Sequence, residues 1–348
     1  MKILELNTEK TWRGGERQTL YNVKGFLKAG LEVGLIARKG FPLSQKSSYL
    51  GCELIEVNSN LEALRFLLRY GKNYDIIHAQ TAKTQTLAVL SKPFHRRPVV
   101  YTRRVDFVPR GMLTKLKYER TDKVVAITEA IRKILVNSLG LTGIEVITEI
   151  VEAKNLNVER ARALKDRFGD KKIIATTSAL VPHKDPLTMV RAINELSKIR
   201  KDFVFLHFGD GPLLGSVKGL IHKFGIGEFY RLMGFVDNVE DFFAIFDVFV
   251  MSSEQEGLGS SVLDAFIYKV PVVSTDAGGL KETVGSSGLL CPVKDYRCLA
   301  KNIDRLLNNA ELRERLVSQA YIKAKEQHSI EAVTDRYIEL FNRILSTK

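Results

Sequence analysis

A few charged side chains and one glycine turn carry the chemistry that can be read from this chain. Glu256 lies in a polar, glycine-bearing turn over 254–259, and Asp264 follows eight residues later. Eight residues are a little over two helical turns, so both carboxylates can face one crevice if a helix carries them. Carboxylates are poor phosphate ligands but good acceptors for adjacent sugar or ribose hydroxyls. The backbone N–H groups of Gly257, Leu258 and Gly259 and the helix N terminus that follows suit an anion such as phosphate. The segment Leu180-Val181-Pro182-His183-Lys184-Asp185-Pro186 carries a further cation, Lys184. Acids for hydroxyls, with dipoles for a diphosphate, together fit a sugar nucleotide. Arg103 and Arg104 are adjacent at an expected strand end. A guanidinium stays protonated at neutral pH, so neither can act as a base, but both can hold a phosphate or carboxylate in a forked contact.

These residues need elements to place them. The apolar run 246–251 reads as a buried strand. After the turn, Val262, Leu263, Phe266 and Ile267 fall on one helical face. The run 270–274 then reads as a second strand, closed by Asp276-Ala277-Gly278-Gly279. Strand, turn, helix, strand is a βαβ unit and implies a parallel sheet, which binds ligands at the carboxyl ends of its strands. The N-terminal half repeats the plan: a strand over 2–6, the turn Trp12-Arg13-Gly14-Gly15-Glu16, and helical spacing over 19–28. The double glycine permits a positive φ and close backbone approach. Further strands are expected over 33–37, 54–57, 123–128, 172–177, 203–208 and 231–235, and Ser329 is an expected N-cap for a last helix over 330–345. The fold class is therefore α/β, with two Rossmann-like domains.

Glu256-Gly257-Leu258, Asp264, Pro271-Val272-Val273, Gly278-Gly279 and Glu282 resemble the donor-binding signature of the retaining GT-B glycosyltransferases of family 4. That signature has a second Glu where this chain has Asp264. The resemblance extends over nearly the whole chain and implies two domains facing a central cleft. It implies residues 1–152 as an acceptor-binding domain, 153–328 as a nucleotide-sugar domain, and 329–348 as a helix returning to the first. By the same resemblance Glu256 contacts the donor sugar, Asp264 the ribose, and Lys184 the pyrophosphate. The backbone around Gly234, Phe235 and Val236 holds the base. Gly14 and Gly15 approach the donor phosphates, and Glu16, Arg17 and His78 line the acceptor side. Two further family positions differ: Arg104 stands where a His is usual, and Ala179 where an Arg is usual. Arg103 or Arg104 is expected to replace that lost cation. The resemblance also implies no cofactor and no metal, and no D-x-D motif stands at a suitable strand end.

Charge is unevenly placed. Residues 1–150 hold 25 Lys+Arg against 14 Asp+Glu, a net +11 out of the chain's +13. A basic half beside a nearly neutral one suggests an anionic partner for one side only. Within 103–123, cations alternate with Phe107, Val108, Met112, Leu113 and Leu116, a mixture that suits an anionic membrane surface. No nucleic-acid reading motif accompanies it. No apolar run approaches the roughly 20 residues of a membrane span. Cys52, Cys291 and Cys298 are too few and too scattered for a disulfide framework or metal site, and are read as inert thiols of a reducing cytoplasm.

The expected activity is transfer of a sugar, with retention, from a nucleotide-diphosphate sugar to a lipid-linked or saccharide hydroxyl in cell-envelope synthesis. It is expected in the cytoplasm, peripherally at the inner membrane face. The alternatives are a sugar-nucleotide epimerase or phosphorylase, and a degenerate GT-B protein that binds nucleotide sugar without transferring it. The missing Arg at Ala179 and the missing His at Arg104 favour the last.

Overall fold

The computed structural model describes residues 1–347 and resolves the chain into two compact units, residues 1–150 with 327 onward, and residues 151–326. The first contains β1 (Lys2–Asn7), α1 (Gly14–Lys28), β2 (Glu32–Arg38), α2 (Pro42–Ser47), β3 (Glu53–Val57), α3 (Asn60–Tyr70), β4 (Ile76–Ala79), α4 (Ala82–His95), β5 (Val99–Arg103), α5 (Met112–Glu119), β6 (Lys123–Ala126), α6 (Glu129–Leu139) and β7 (Glu145–Val146). The second contains α7 (Val158–Asp166), β8 (Lys172–Thr177), α8 (Pro186–Ile199), β9 (Phe203–Phe208), α9 (Leu214–Phe224), β10 (Tyr230–Gly234), β11 (Val248–Met251), α10 (Ser260–Ile267), β12 (Val272–Thr275), α11 (Leu280–Val284), β13 (Leu289–Cys291), α12 (Tyr296–Asn308) and most of α13 (Ala310–Gln327). The last helix, α14 (Ile330–Ser346), belongs to the first unit.

Both sheets are parallel, in the orders β3-β2-β1-β4-β5-β6-β7 and β10-β9-β8-β11-β12-β13. Their central strands are mostly apolar and buried on both faces, as helix-covered parallel strands must be. In each sheet the strand order reverses once, at β1/β4 and at β8/β11. Helices on either side of a reversal diverge and leave an opening above the strand ends, the usual ligand position of an open α/β sheet. The 178–185 loop follows β8 and the 252–259 turn follows β11, so both rise from the reversal of the second sheet.

The first unit closes around α14. Phe26 of α1 meets Tyr337 and Phe341 at ring centroid distances of 6.1 and 5.7 Å. Gly25 permits this approach, since a Cβ there would lie 2.0 Å from Thr334 Oγ1.

One expectation fails in the second unit. Cys291 and Cys298 are not separate thiols but are joined as a disulfide. Their seven-residue spacing spans the loop from β13 into the first turn of α12, which returns the chain to a Cα–Cα distance of 5.7 Å. Cys52 is free.

Candidate functional site

In the second unit Lys184 and Glu256, 72 residues apart, form an ion pair with side chains only 21% and 14% exposed. Backbone and side-chain bonds hold both segments. Glu254 N and Gln255 N donate to His183 O at 2.9 and 3.2 Å. Ser252 Oγ donates to the carbonyls of Lys184 and Asp185 at 3.1 and 2.9 Å. Thr275 Oγ1 donates to Ser253 O, Gly279 N to Glu256 O, and Thr283 Oγ1 to Leu258 O, at 2.7, 2.9 and 2.7 Å. The turn is thus fastened to the 183–185 loop on one side and to the segment from β12 into α11 on the other.

Gly259 completes the turn at φ +86°, where a Cβ would also lie 2.4 Å from Leu280 Cδ2. No side chain caps the N terminus of α10 that begins there. Asp264 lies on the same helix and is buried. The 178–180 loop is clasped by the turn after β9: a Cβ on Gly211 would lie 2.5 Å from Leu180 O. At the end of β10, Gly234 has φ +70°, its carbonyl accepts from Gly209 N at 2.8 Å, and Phe235 is 70% exposed with Val236 half-buried. Ala179 is exposed.

Asp185 was part of the lysine segment but had no assigned role. It adopts φ +43°, unusual for a residue other than glycine, and caps α8 by accepting from Thr188 N at 3.0 Å. Its other oxygen, Oδ2, is buried without a hydrogen-bond partner among the described residues. The Asp-Pro pair marks a helix start, but nothing local signals the orphan oxygen.

The first unit departs further from expectation. Gly14 and Gly15 do not form a positive-φ turn; they are the first residues of α1, and a Cβ on Gly15 would meet nothing within 4 Å. Glu16 is buried as the capping residue of that helix, its Oε2 accepting from Arg13 N at 2.8 Å and Thr11 Oγ1 at 3.2 Å. Burial raises its carboxyl pKa despite those bonds. Its acceptor-lining role is therefore replaced by a capping box. Arg17 lies half-buried in the same first turn. His78 is fully buried within the unit, with Nδ1 2.7 Å from Glu5 Oε1 and Nε2 2.8 Å from Thr102 Oγ1. With no exposed surface it cannot line an acceptor site.

The two arginines are also engaged internally. Arg103 Nε donates to Val105 O at 3.0 Å and Nη1 to Tyr118 Oη at 2.5 Å, and Nη2 bonds Phe107 O. Its fork organises the loop before α5, which corrects the expected anion contact. Arg104 pairs with Glu149 at 3.1 Å and donates from Nη1 to Gln80 O at 3.2 Å. No local pattern points to Glu149, an acid inside the apolar run Ile147-Thr148-Glu149-Ile150-Val151 whose burial demands a cationic partner.

Two family models match the chain. Glycosyltransferase Family 4 matches residues 12–153 and Glycosyl transferases group 1 matches residues 157–323. The lipopolysaccharide core biosynthesis glycosyltransferase LpsE of Rhizobium meliloti is 31% identical over 232 residues, 65% of this chain and 66% of that protein. The match thus spans just under two thirds of LpsE's own length. LpsD of the same organism, also a lipopolysaccharide core biosynthesis glycosyltransferase, is 27% identical over 99% of this chain and 98% of its own. Among solved structures, a glycosyltransferase from Rickettsia africae superposes with a TM-score of 0.87 at 20% identity, covering 100% of this chain and 99% of that one.

Proposed function

We propose that this chain, which belongs to glycosyltransferase family 4, moves a sugar from a nucleotide-diphosphate sugar to an acceptor hydroxyl with retention. The reading rests on one observation above others: the braced Lys184–Glu256 pair at the strand-order reversal of the second unit. A diphosphate near that pair meets the ammonium of Lys184 and the uncapped N terminus of α10. Glu256 then accepts from donor hydroxyls and buried Asp264 serves the ribose. The 234–236 backbone holds the base. Glu256 is engaged by Lys184, so it is poorly suited to act as a base; the departing phosphate takes the acceptor proton instead.

The names of LpsE and LpsD point to cell-envelope lipid or polysaccharide as the pathway, with a lipid-linked or saccharide acceptor. A thermal-shift panel of UDP-, GDP- and ADP-sugars tests the donor. A bound donor at a hundred times its Kd adds about 2.7 kcal/mol to the folded form. That is a midpoint rise of roughly 5 °C or more for units of this size. Sugar transfer, retained in the presence of a metal chelator, is expected for the nucleotide that binds. No shift with any donor would sink the reading; a shift without transfer or hydrolysis would select the degenerate binding protein.

The basic apolar segment supports an acceptor presented at an anionic membrane. Met112 and Leu113 of α5 are 85% and 80% exposed, with Phe107, Val108 and Leu116 also exposed nearby in sequence. Arg110 and Lys115 lie within the same stretch. Exposed apolar side chains flanked by cations can enter the headgroup region while the charges meet anionic lipid. Among the described residues, no helix is long and apolar enough to cross a membrane, so this contact is peripheral. Met112→Asp with Leu113→Asp is expected to weaken binding to vesicles containing anionic lipid by at least about tenfold, given about 1.5–3 kcal/mol for a fully buried large apolar side chain. Unchanged cosedimentation would remove the membrane from the proposal.

A further inference from the structure

The second unit carries a feature that donor binding does not use. An open groove of about 740 Å³ runs along the edge strand β13 and the first turns of α12, and Cys298 is in its wall. Arg297, Lys301 and Arg305 line it at intervals of four residues, on one exposed ridge of α12. None of the three makes an ion pair among the described residues. One lining carboxylate, Asp295, faces these three cations and caps the helix by accepting from Cys298 N at 2.9 Å.

The two sulfurs have different surroundings. Cys291 is buried, whereas Cys298 is half-exposed. Asn302 Nδ2 lies 3.2 Å from Cys291 Sγ and 3.5 Å from Cys298 Sγ. A disulfide opens when a thiolate attacks one sulfur in line and the other leaves as thiolate. Access allows attack only at Cys298. The leaving sulfur is then Cys291, beside an amide N–H that can stabilise its charge. The N-terminal turn of α12 and the cations favour a thiolate at Cys298 once it is reduced.

We propose that Cys291–Cys298 is a reversible thiol–disulfide exchange site whose substrate is a small thiol bearing carboxylates, drawn in by the Arg297–Lys301–Arg305 ridge. In the first step the thiolate RS⁻ forms a bond to Cys298 Sγ, the Cys291–Cys298 bond breaks, and Cys291 takes the electron pair and then a proton. In the second, another RS⁻ attacks the sulfur of the bound R group. RSSR departs and Cys298 leaves as thiolate, so two RSH are oxidised as one protein disulfide is reduced. The reverse sequence re-forms the bond.

The test uses the full chain with Cys52→Ser, oxidised in air. Glutathione, 2-mercaptoethanol and cysteamine are added at equal thiolate concentration, followed by acid quench and intact mass. The expected result is a mixed disulfide on Cys298 that forms at least about tenfold faster with glutathione than with cationic cysteamine at low salt. That preference fades toward parity near 1 M salt. Arg297→Glu with Lys301→Glu and Arg305→Glu, all exposed, is expected to invert the order while leaving the thermal midpoint nearly unchanged. Equal rates for the three thiols, an adduct on Cys291, or two free thiols after air oxidation would each overturn the proposal.

Discussion

Lys184→Ala is expected to lower kcat/KM for donor transfer by about a hundredfold, and Glu256→Ala by at least tenfold, with the folded state largely retained. The first figure follows from what one preorganised charge at a leaving group contributes, about 10²–10³ in rate. Removing the cation loses stabilisation that grows as the diphosphate departs, so the loss falls on kcat more than on KM. Removing the acid loses hydroxyl contacts made to the donor sugar. Each single change also leaves a half-buried charge without its partner, which lowers stability by a modest amount because both side chains keep some solvent. A paired Lys184→Met, Glu256→Gln variant separates the two effects. It removes both charges, so the thermal midpoint should recover toward wild type while transfer stays at or below the level of the worse single variant. If transfer recovers together with the midpoint, the pair is a structural bridge and the site lies elsewhere.

The parts of this molecule that sequence discloses are those set by local pattern. Buried parallel strands are continuous apolar runs, and the turns between strand and helix are marked by glycines. The unit around 246–274 was therefore legible, and the structure places β11, α10 and β12 within it. Lys184 is legible for a different reason: its segment resembles a motif of the family. Partners were not legible. Arg103 and Arg104 read as ligand-binding cations because they stand at an expected strand end. The carbonyls of 105 and 107, the hydroxyl of Tyr118 and the carboxylate of Glu149 engage them instead. Burial leaves an ion no choice but to find such partners, yet the sequence does not say which residues will be near. The same holds for Glu16, where the spacing from Arg13 to Glu16 fits a capping box as well as it fits a binding turn. Cys291 and Cys298 are only seven residues apart, but the geometry that joins them depends on the turn between β13 and α12.

The largest effect on stability is expected at His78, the residue whose position most misleads. His78→Leu should destabilise the first unit by about 1–3 kcal/mol, the usual cost of leaving buried hydrogen-bonding groups without their partner. Glu5 and His78 both have no exposed surface, and neither can replace a lost partner with water. Glu5 accepts from Gln80 Nε2 at 2.5 Å through Oε2, but its Oε1 faces only the imidazole among the described side chains. On the far side of the ring, Thr102 Oγ1 bonds His78 Nε2 and also lies 2.9 Å from Tyr337 Oη, so the network runs from β1 across β4 and β5 to α14. Burial raises the Tyr337 phenol to about 12, so it stays protonated through this chain. Tyr337→Phe removes one neutral bond at the end of the network and should cost about 1 kcal/mol. Glu5→Leu with His78→Leu removes both members together and should recover much of the loss, because two apolar groups replace two polar ones. Trp12, the only tryptophan, packs against the core of the first unit. Its fluorescence in urea therefore follows this unit alone and avoids treating two units as one transition. A midpoint for His78→Leu within 1 kcal/mol of wild type, or a double variant less stable than the single, would show that the imidazole is a spacer and the buried acid is satisfied in another way.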